Sequence, residues 1–199
     1  MARVLLTGFE PFGSFKRNPS WDALKLAEER GLLPRPVSLA QIPVTYAGAF
    51  KALKAAARRF KPDVIVCFGV HGSRESRTLY LECVAHNRNG SAPDNDGVTR
   101  EGKILPRKPR LLESSYPFAS LAVLLKDSGF SVEISGDAGG YLCNHLYFRA
   151  SEAFGRKVPV AFVHVPPVRG KGTMKVDKLA RAIALVAWHT GMTAAMRKR

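Results

Sequence analysis

Three short segments of this 199-residue chain carry the residue types that nucleophilic hydrolysis needs. In Ala138-Gly139-Gly140-Tyr141-Leu142-Cys143-Asn144-His145 a cysteine stands where a glycine turn opens a helix. The partial positive charge of a helix N-terminus lowers a thiol pKa. The unused N–H groups of such a turn can hold an oxyanion. Taken alone, the segment equally suits a small thiol packed in a core. In Ala161-Phe162-Val163-His164-Val165-Pro166-Pro167 a histidine ends an apolar run. That places an imidazole where it could serve a thiol as general base, or simply satisfy itself inside a core. In Leu81-Glu82-Cys83 a carboxylate interrupts an apolar strand pattern. Such a group is costly to bury unless paired. Either an imidazole takes it, as in nucleophile–base–orienter triads, or that face of the strand meets water. A fourth segment, Thr7-Gly8-Phe9-Glu10-Pro11-Phe12-Gly13, sets two aromatics just past a first strand. They either cap a core or line an apolar pocket.

Elements that must position these residues follow from periodicity and turn residues. Arg3–Thr7 is an apolar run ending at Gly8, and Val64–Phe68 has the continuous apolar look of a strand buried on both faces. Val37–Val44 reads as a strand whose end Pro43 weakens. Asn18-Pro19-Ser20 starts a helix that Gly31 stops. Phe50, Leu53, Ala57 and Phe60 share a helical stripe. Arg77–His86 alternates as one further strand, with Leu79, Leu81, Cys83 and Ala85 on one face and Tyr80, Glu82, Val84 and His86 on the other. Residues 87–109 form a long polar loop, of a length that is usually functional or mobile. A helix over Phe118–Leu125 ends at Gly129, Ser131–Ser135 is a strand, and a helix runs from the glycine turn through Phe154. Val158–Val165 is a strand that Pro166-Pro167 stops, and Leu179, Ile183, Val186 and Ala187 mark a last helix. Strands alternating with helices predict a single three-layer α/β domain over 1–199. Its central twisted sheet is mostly parallel, with mixed order allowed, and helices flank it. Ligands of such sheets sit at the carboxyl ends of strands.

Composition excludes other classes. With 46% apolar and 24% charged residues the chain is ordinarily globular. No apolar run approaches the roughly 18 residues of a membrane helix, and the first residues lack the apolar core of a secretory signal. Three cysteines, an odd number, exclude a disulfide scaffold and fit the reducing cytoplasm. No Cys/His spacing suggests zinc and no glycine-rich fingerprint suggests a nucleotide, so neither metal nor cofactor is expected. The net charge of +15 is the outlier. Its basic residues are scattered, in clusters such as Arg58-Arg59-Lys61, Arg107-Lys108-Arg110, Arg169-Lys171-Lys175 and Arg197-Lys198-Arg199. No recognised nucleic-acid motif accompanies them, so a solvated basic surface is expected rather than a specific nucleic-acid site.

Taken together, the segments resemble the pyroglutamyl peptidase family of cysteine peptidases. Leu6-Thr7-Gly8-Phe9-Glu10-Pro11-Phe12-Gly13 with Asn18-Pro19-Ser20-Trp21, Leu81–Asn87, Ser135–Asn144 and Phe162–Pro167 run in the family's order across nearly the whole chain. The resemblance implies a Cys–His–Glu triad of Cys143 as nucleophile, His164 as base and acid, and Glu82 as orienter. It implies hydrolysis, through a thioester, of the amide bond after an N-terminal pyroglutamyl residue of peptides. It implies a substrate pocket at Phe9 and Phe12, which match the family's aromatic wall, with Asn18, Val70 and Leu142, and a homodimer or homotetramer. The chain departs from many bacterial members at Cys83, which replaces an arginine, at Gly69-Val70-His71-Gly72, and at Ser91-Ala92 before Pro93-Asp94-Asn95. Two rivals stand beside this reading. One is a catalytically weak relative that acts as a binding protein; the other is a basic nucleic-acid-binding domain. Of the three thiols, Cys67 in an apolar run is expected to be buried and inert, and Cys83 to face away from Glu82.

Overall fold

A computed structural model describes residues 2–13, 16–72, 77–168 and 174–197. A six-stranded sheet in the order β2-β1-β3-β8-β4-β7 forms its centre, made of β1 (Val4–Phe9), β2 (Val37–Ile42), β3 (Val64–Val70), β4 (Thr78–Glu82), β7 (Ser131–Ser135) and β8 (Val160–Val165). The first four strands in that order run parallel. β4 pairs antiparallel with β8 and parallel with β7, so two of the six strands run the other way. A separate two-stranded ribbon joins β5 (Val84–His86) to β6 (Leu111–Glu113).

The helices divide between the two faces of the sheet because their apolar stripes need separate covers. Helices α1 (Pro19–Glu29), α3 (Phe118–Asp127) and α5 (Val176–Met196) bury Leu24, Leu121, Ile183 and their neighbours against Leu6, Val66, Phe68, Leu81 and Val163. Helices α2 (Ala49–Phe60) and α4 (Leu142–Phe154) cover the opposite face, where Leu53 and Leu146 meet Leu5, Ile65 and Phe162. Odd and even strand residues thus go to different cores, as the period of two requires. Among the described residues no helix is long and apolar enough to cross a membrane.

Two expectations are corrected. Arg77–His86 is not one strand. At Cys83 the backbone N–H bonds to Ser135 and the carbonyl to Ser114, so the chain leaves the main sheet and continues in the ribbon. The facing pattern switches there too. Leu81 and Cys83 belong to the α1/α3/α5 side, whereas Ala85 packs on the α2/α4 side. β3, in turn, does not stop at Gly69 but pairs onward through Val70 with Val165. β6 had no distinct signal, since Leu111-Leu112-Glu113 is too short to show a period. Residues 87–109 do form a loop, crossed by a single bridge between Asn89 and Gly102. Arg58, Arg59, Lys61, Arg107, Lys108 and Arg110 are exposed to solvent, as a solvated basic surface requires; Arg169, Lys171, Lys198 and Arg199 lie outside the described residues.

α1 begins as its residues predict. Asn18 caps it, its side-chain oxygen accepting from the N–H and hydroxyl of Ser20, with Pro19 in the first turn. The same amide donates to the Glu10 carbonyl at 2.9 Å, tying the helix to the segment after β1. A lost cap costs about 0.5–2 kcal/mol, and a second bond is lost with it. Asn18→Ala should therefore lower the unfolding free energy by about 1–3 kcal/mol, measured by urea denaturation.

Candidate active site

His164 and Glu82 meet at the middle of the sheet. β8 lies between β3 and β4, and its register sets His164 beside Gly69 on one side and Tyr80 on the other. Because β4 runs antiparallel, Glu82, two residues beyond Tyr80, comes opposite Phe162 and on the same face as His164. The imidazole Nδ1–H donates to Glu82 Oε1 at 2.7 Å. Glu82 is fully buried and His164 nearly so. The carboxylate thus holds the tautomer that leaves Nε2 bare to take a proton. The alternative of a strand face open to water is overturned, for Tyr80 and Glu82 are both buried.

Cys143 arrives from the α4 side of the same sheet, in the first turn of α4. The first backbone bond of that helix is from His145 N–H to Tyr141, which leaves the N–H groups of Leu142 and Cys143 without helical acceptors. The turn before it is held from several directions. Gly139 N–H bonds to Asp137, and Gly90 N–H donates to the Gly140 carbonyl at 2.5 Å. A Cβ on Gly90 or Gly140 would stand 3.1 Å from the other's backbone, tighter than ordinary contact, so a side chain at either would press the two segments apart by a few tenths of an ångström. Asn144 donates to the carbonyls of His86 and Arg88 and accepts from His86 N–H. His145 bonds to Asn89, and the Tyr141 hydroxyl donates to the Pro93 carbonyl. The loop over 87–109 is therefore fastened to the turn that carries Cys143 through the loop's backbone and Asn89. The composition of the loop could flag its length but not these partners.

The helix terminus was expected to lower the Cys143 thiol pKa, and the structure reverses that direction. Burial foremost, then the Glu82 charge and Cys67, push the thiol up to about 12 against the pull of its own backbone N–H. Desolvation thus favours the protonated thiol, and a base is needed to turn it into the attacking thiolate. His145, two residues on, is pushed down to about 4 by burial and by the charges of Arg149 and Arg100, so it stays neutral at pH 7.

A cavity of about 910 Å³ opens over these groups, with Cys143 and His164 in its wall. Phe12 and Val70 line it, as do Tyr141 and Asn95. Phe9, Asn18 and Leu142 do not line it. Phe9 turns into the α2/α4 core, Asn18 is occupied as a helix cap, and Leu142 is buried under the first turn of α4. The wall at Phe12 is braced from the loop by the Asn95 side chain, which donates to the Pro11 carbonyl at 2.9 Å and accepts from Gly13 N–H at 3.4 Å. Glu10 accepts from Val44 N–H and steadies the other end of that segment. Asp94 also lines the cavity, but its carboxylate accepts N–H bonds from Tyr46, Asp96 and Val98. Burial opposes its charge, yet those donors and Arg100 hold the carboxyl below its ordinary 3.8. Cys83 lies on the other side of the sheet. Among the described residues no three His, Cys, Asp or Glu side chains stand together as a metal site.

A thiol, an imidazole and a carboxylate gathered over one sheet face beside a cavity are parts of a cysteine hydrolase, and comparison with known proteins narrows the class. The family model described as pyroglutamyl peptidase matches residues 2–198. This chain belongs to the pyroglutamyl peptidase family. Among its relatives, the pyrrolidone-carboxylate peptidase of Gloeobacter violaceus is 33% identical over 195 residues, covering 92% of this chain and 94% of that one. That of Vibrio parahaemolyticus is 32% identical, covering 94% and 92%. The crystal structure of pyroglutamyl peptidase I from Bacillus amyloliquefaciens superposes with a TM-score of 0.87 at 27% identity, covering 98% of each chain. The pyrrolidone carboxyl peptidase of Thermus thermophilus gives 0.83 at 30%, covering 94% of this chain and 99% of that one. The family's α/β architecture is thus shared over nearly the full length.

The other inner thiol carries a pH dependence of its own. Cys67 is buried on the same sheet face, and desolvation raises it from 9.0 to about 12, against a smaller pull from the nearby Thr7 hydroxyl. Its folded pKa lies above the unfolded one, so the folded state holds the proton longer. The associated stability is full below pH 9 and is lost as pH rises from 9 toward 12. Unfolding free energies measured in urea between pH 7 and 11 should fall above pH 9. In Cys67→Ala that decline should be shallower, by up to about 1.4 kcal/mol per pH unit.

Proposed function

We propose that the chain is a thiol-dependent exopeptidase that removes N-terminal pyroglutamate from peptides, with Cys143, His164 and Glu82 as its triad. The observation that carries this is the buried 2.7 Å bond from His164 Nδ1–H to Glu82, made in the wall of the cavity that Cys143 also lines. In the reaction, His164 Nε2 takes the thiol proton as the sulfur bonds to the pyroglutamyl carbonyl carbon. The N–H groups of Leu142 and Cys143 hold the oxyanion, each such donor contributing about 3–4 kcal/mol. The C–N bond then breaks, and His164 gives its proton to the departing amine. Water attacks the thioester, His164 takes its proton, and the C–S bond breaks to release pyroglutamate and return the thiol.

Selection for the lactam follows from what the wall lacks. A free α-amine is cationic and loses its hydration on entry, which costs several kcal/mol without a counter-charge. Asp94, the one carboxylate of the described lining, already accepts three backbone N–H groups. Pyroglutamyl is neutral and flat, and Phe12 with Val70 offers it an apolar slot. Phe9, Asn18 and Leu142 serve that slot from behind, as supports. The free thiols suit a cytoplasmic enzyme, and the family resemblance favours a homodimer or homotetramer. The chemistry calls on neither metal nor cofactor.

A pyroglutamyl chromogenic amide tests the reading. The wild type should cleave it, leave prolyl and alanyl amides nearly untouched, and keep its rate in EDTA; equal cleavage of all three, or a loss on chelation that zinc restores, refutes it. Within the triad the costs should be unequal. Cys143→Ala and His164→Ala should each remove nearly all turnover, while Glu82→Gln should cost about 50-fold less, because it orients and touches no bond that changes.

A further inference from the structure

The nucleophile lies against the backbone of β3 at a residue with no side chain. Gly69 stands beside His164 in the β3–β8 register. A Cβ built on it would lie 2.7 Å from Cys143 Sγ and 2.9 Å from Phe162 Cζ. Real Cβ atoms do not come so close, so the sulfur occupies the space that the missing methyl leaves. Strand alternation decides which face this is. Val66, Phe68 and Val70 pack toward α1, α3 and α5, whereas Ile65 and Cys67 pack toward α2 and α4. Position 69 therefore opens on the side from which α4 delivers its cysteine. Phe162 and His164 rise from β8 on that same face, their rings 4.9 Å apart.

We propose that Gly69 is a positioning residue for the nucleophile. Its bare backbone forms a slot that seats Sγ beside the imidazole, and any side chain there would push the sulfur off the sheet. The inference rests on the proposed role of Cys143. Two constraints meet in the slot. α4 is fastened to the loop over 87–109 through Asn144 and His145, so the helix cannot retreat easily. Phe162 fills the space on the β8 side, so the sulfur cannot slide along the sheet. The same seating shields the sulfur from water on the sheet side, while Cys143 still lines the cavity. The residues of β3 before Gly69 are apolar, and the segment draws attention to Val70 rather than to the glycine beside it.

The test joins turnover to a stability cycle that needs no substrate. In Gly69→Ala, kcat for a pyroglutamyl amide should fall 100-fold or more while KM stays within threefold, because the displaced group reacts but does not bind. In unfolding experiments, Gly69→Ala should lower the thermal midpoint by about 5 °C in the wild-type background. It should cost less than half of that when Cys143→Ala has emptied the slot, a coupling expected only of residues in contact. If Gly69→Ala does not fold alone, its folding in the Cys143→Ala background demonstrates the same coupling. Turnover within threefold of wild type, equal thermal losses in both backgrounds, or failure to fold in both would overturn the proposal. A wild type that cannot cleave the amide would refute the proposed function, yet the thermal cycle would still decide the role of Gly69.

Discussion

The hydrogen bond between His164 and Glu82 is the constraint around which the rest of the site is arranged. A carboxylate with no exposure is destabilising unless its charge is met, and the imidazole meets it at 2.7 Å. That pairing needs β4 next to β8 and running against it. With the strands antiparallel, Tyr80 faces His164, and the carboxylate two residues on still reaches Nδ1. The mixed order of the sheet, four strands one way and two the other, is thus what makes this pairing possible. It also means that the strand leading to the nucleophile, β7, runs opposite to β8. The segment from Gly136 to Tyr141 brings the chain back to the cavity.

The nucleophile turn depends in turn on the loop over 87–109. Gly90 against Gly140, Asn89 on His145, the backbone of His86 and Arg88 on Asn144, and Pro93 on Tyr141 hold it from one side. Asn95 carries the same loop across to Pro11 and Gly13, so one segment braces both the thiol and the Phe12 wall. A loop fastened at that many points is a fixed wall of the cavity, and its length reflects the distance it spans.

Electrostatics then assign the protons. Burial and the nearby carboxylate favour the neutral thiol over the thiolate, and they outweigh the helix terminus. In the proposed reaction, attack on the carbonyl is therefore coupled to proton transfer. An imidazole whose Nδ1 is held by Glu82 offers Nε2 for that transfer. Many of the arginines and lysines, such as Arg58, Arg59 and Arg107, are exposed, while Arg100 and Arg149 act nearer the site, on Asp94 and His145.

Much of this was legible in the order of residues. Apolar runs, the Asn18-Pro19 start and the glycine stops named most strands and helices, because local periodicity and caps reflect local physics. Cys143, His164 and Glu82 stood out because a thiol, an imidazole and a buried carboxylate are chemically conspicuous in apolar surroundings. Pairing lay beyond that signal. Alternation across Arg77–His86 reads as one strand, and only the bonds of Cys83 to Ser135 and Ser114 break it in two. Asn18, Phe9 and Leu142 have types that suit a pocket, yet packing buries them away from the cavity lining. The thiol pKa followed from a helix terminus in sequence and from burial in space, and the spatial factor won. Gly69 shows the limit most plainly: what matters there is an absent atom, and its meaning depends on α4 crossing β3 at that point. Sequence determined which groups exist and which segments are helix or strand. Tertiary structure decided which of them touch, because contacts between residues far apart in the chain are set by sheet order and helix docking, which no local pattern encodes.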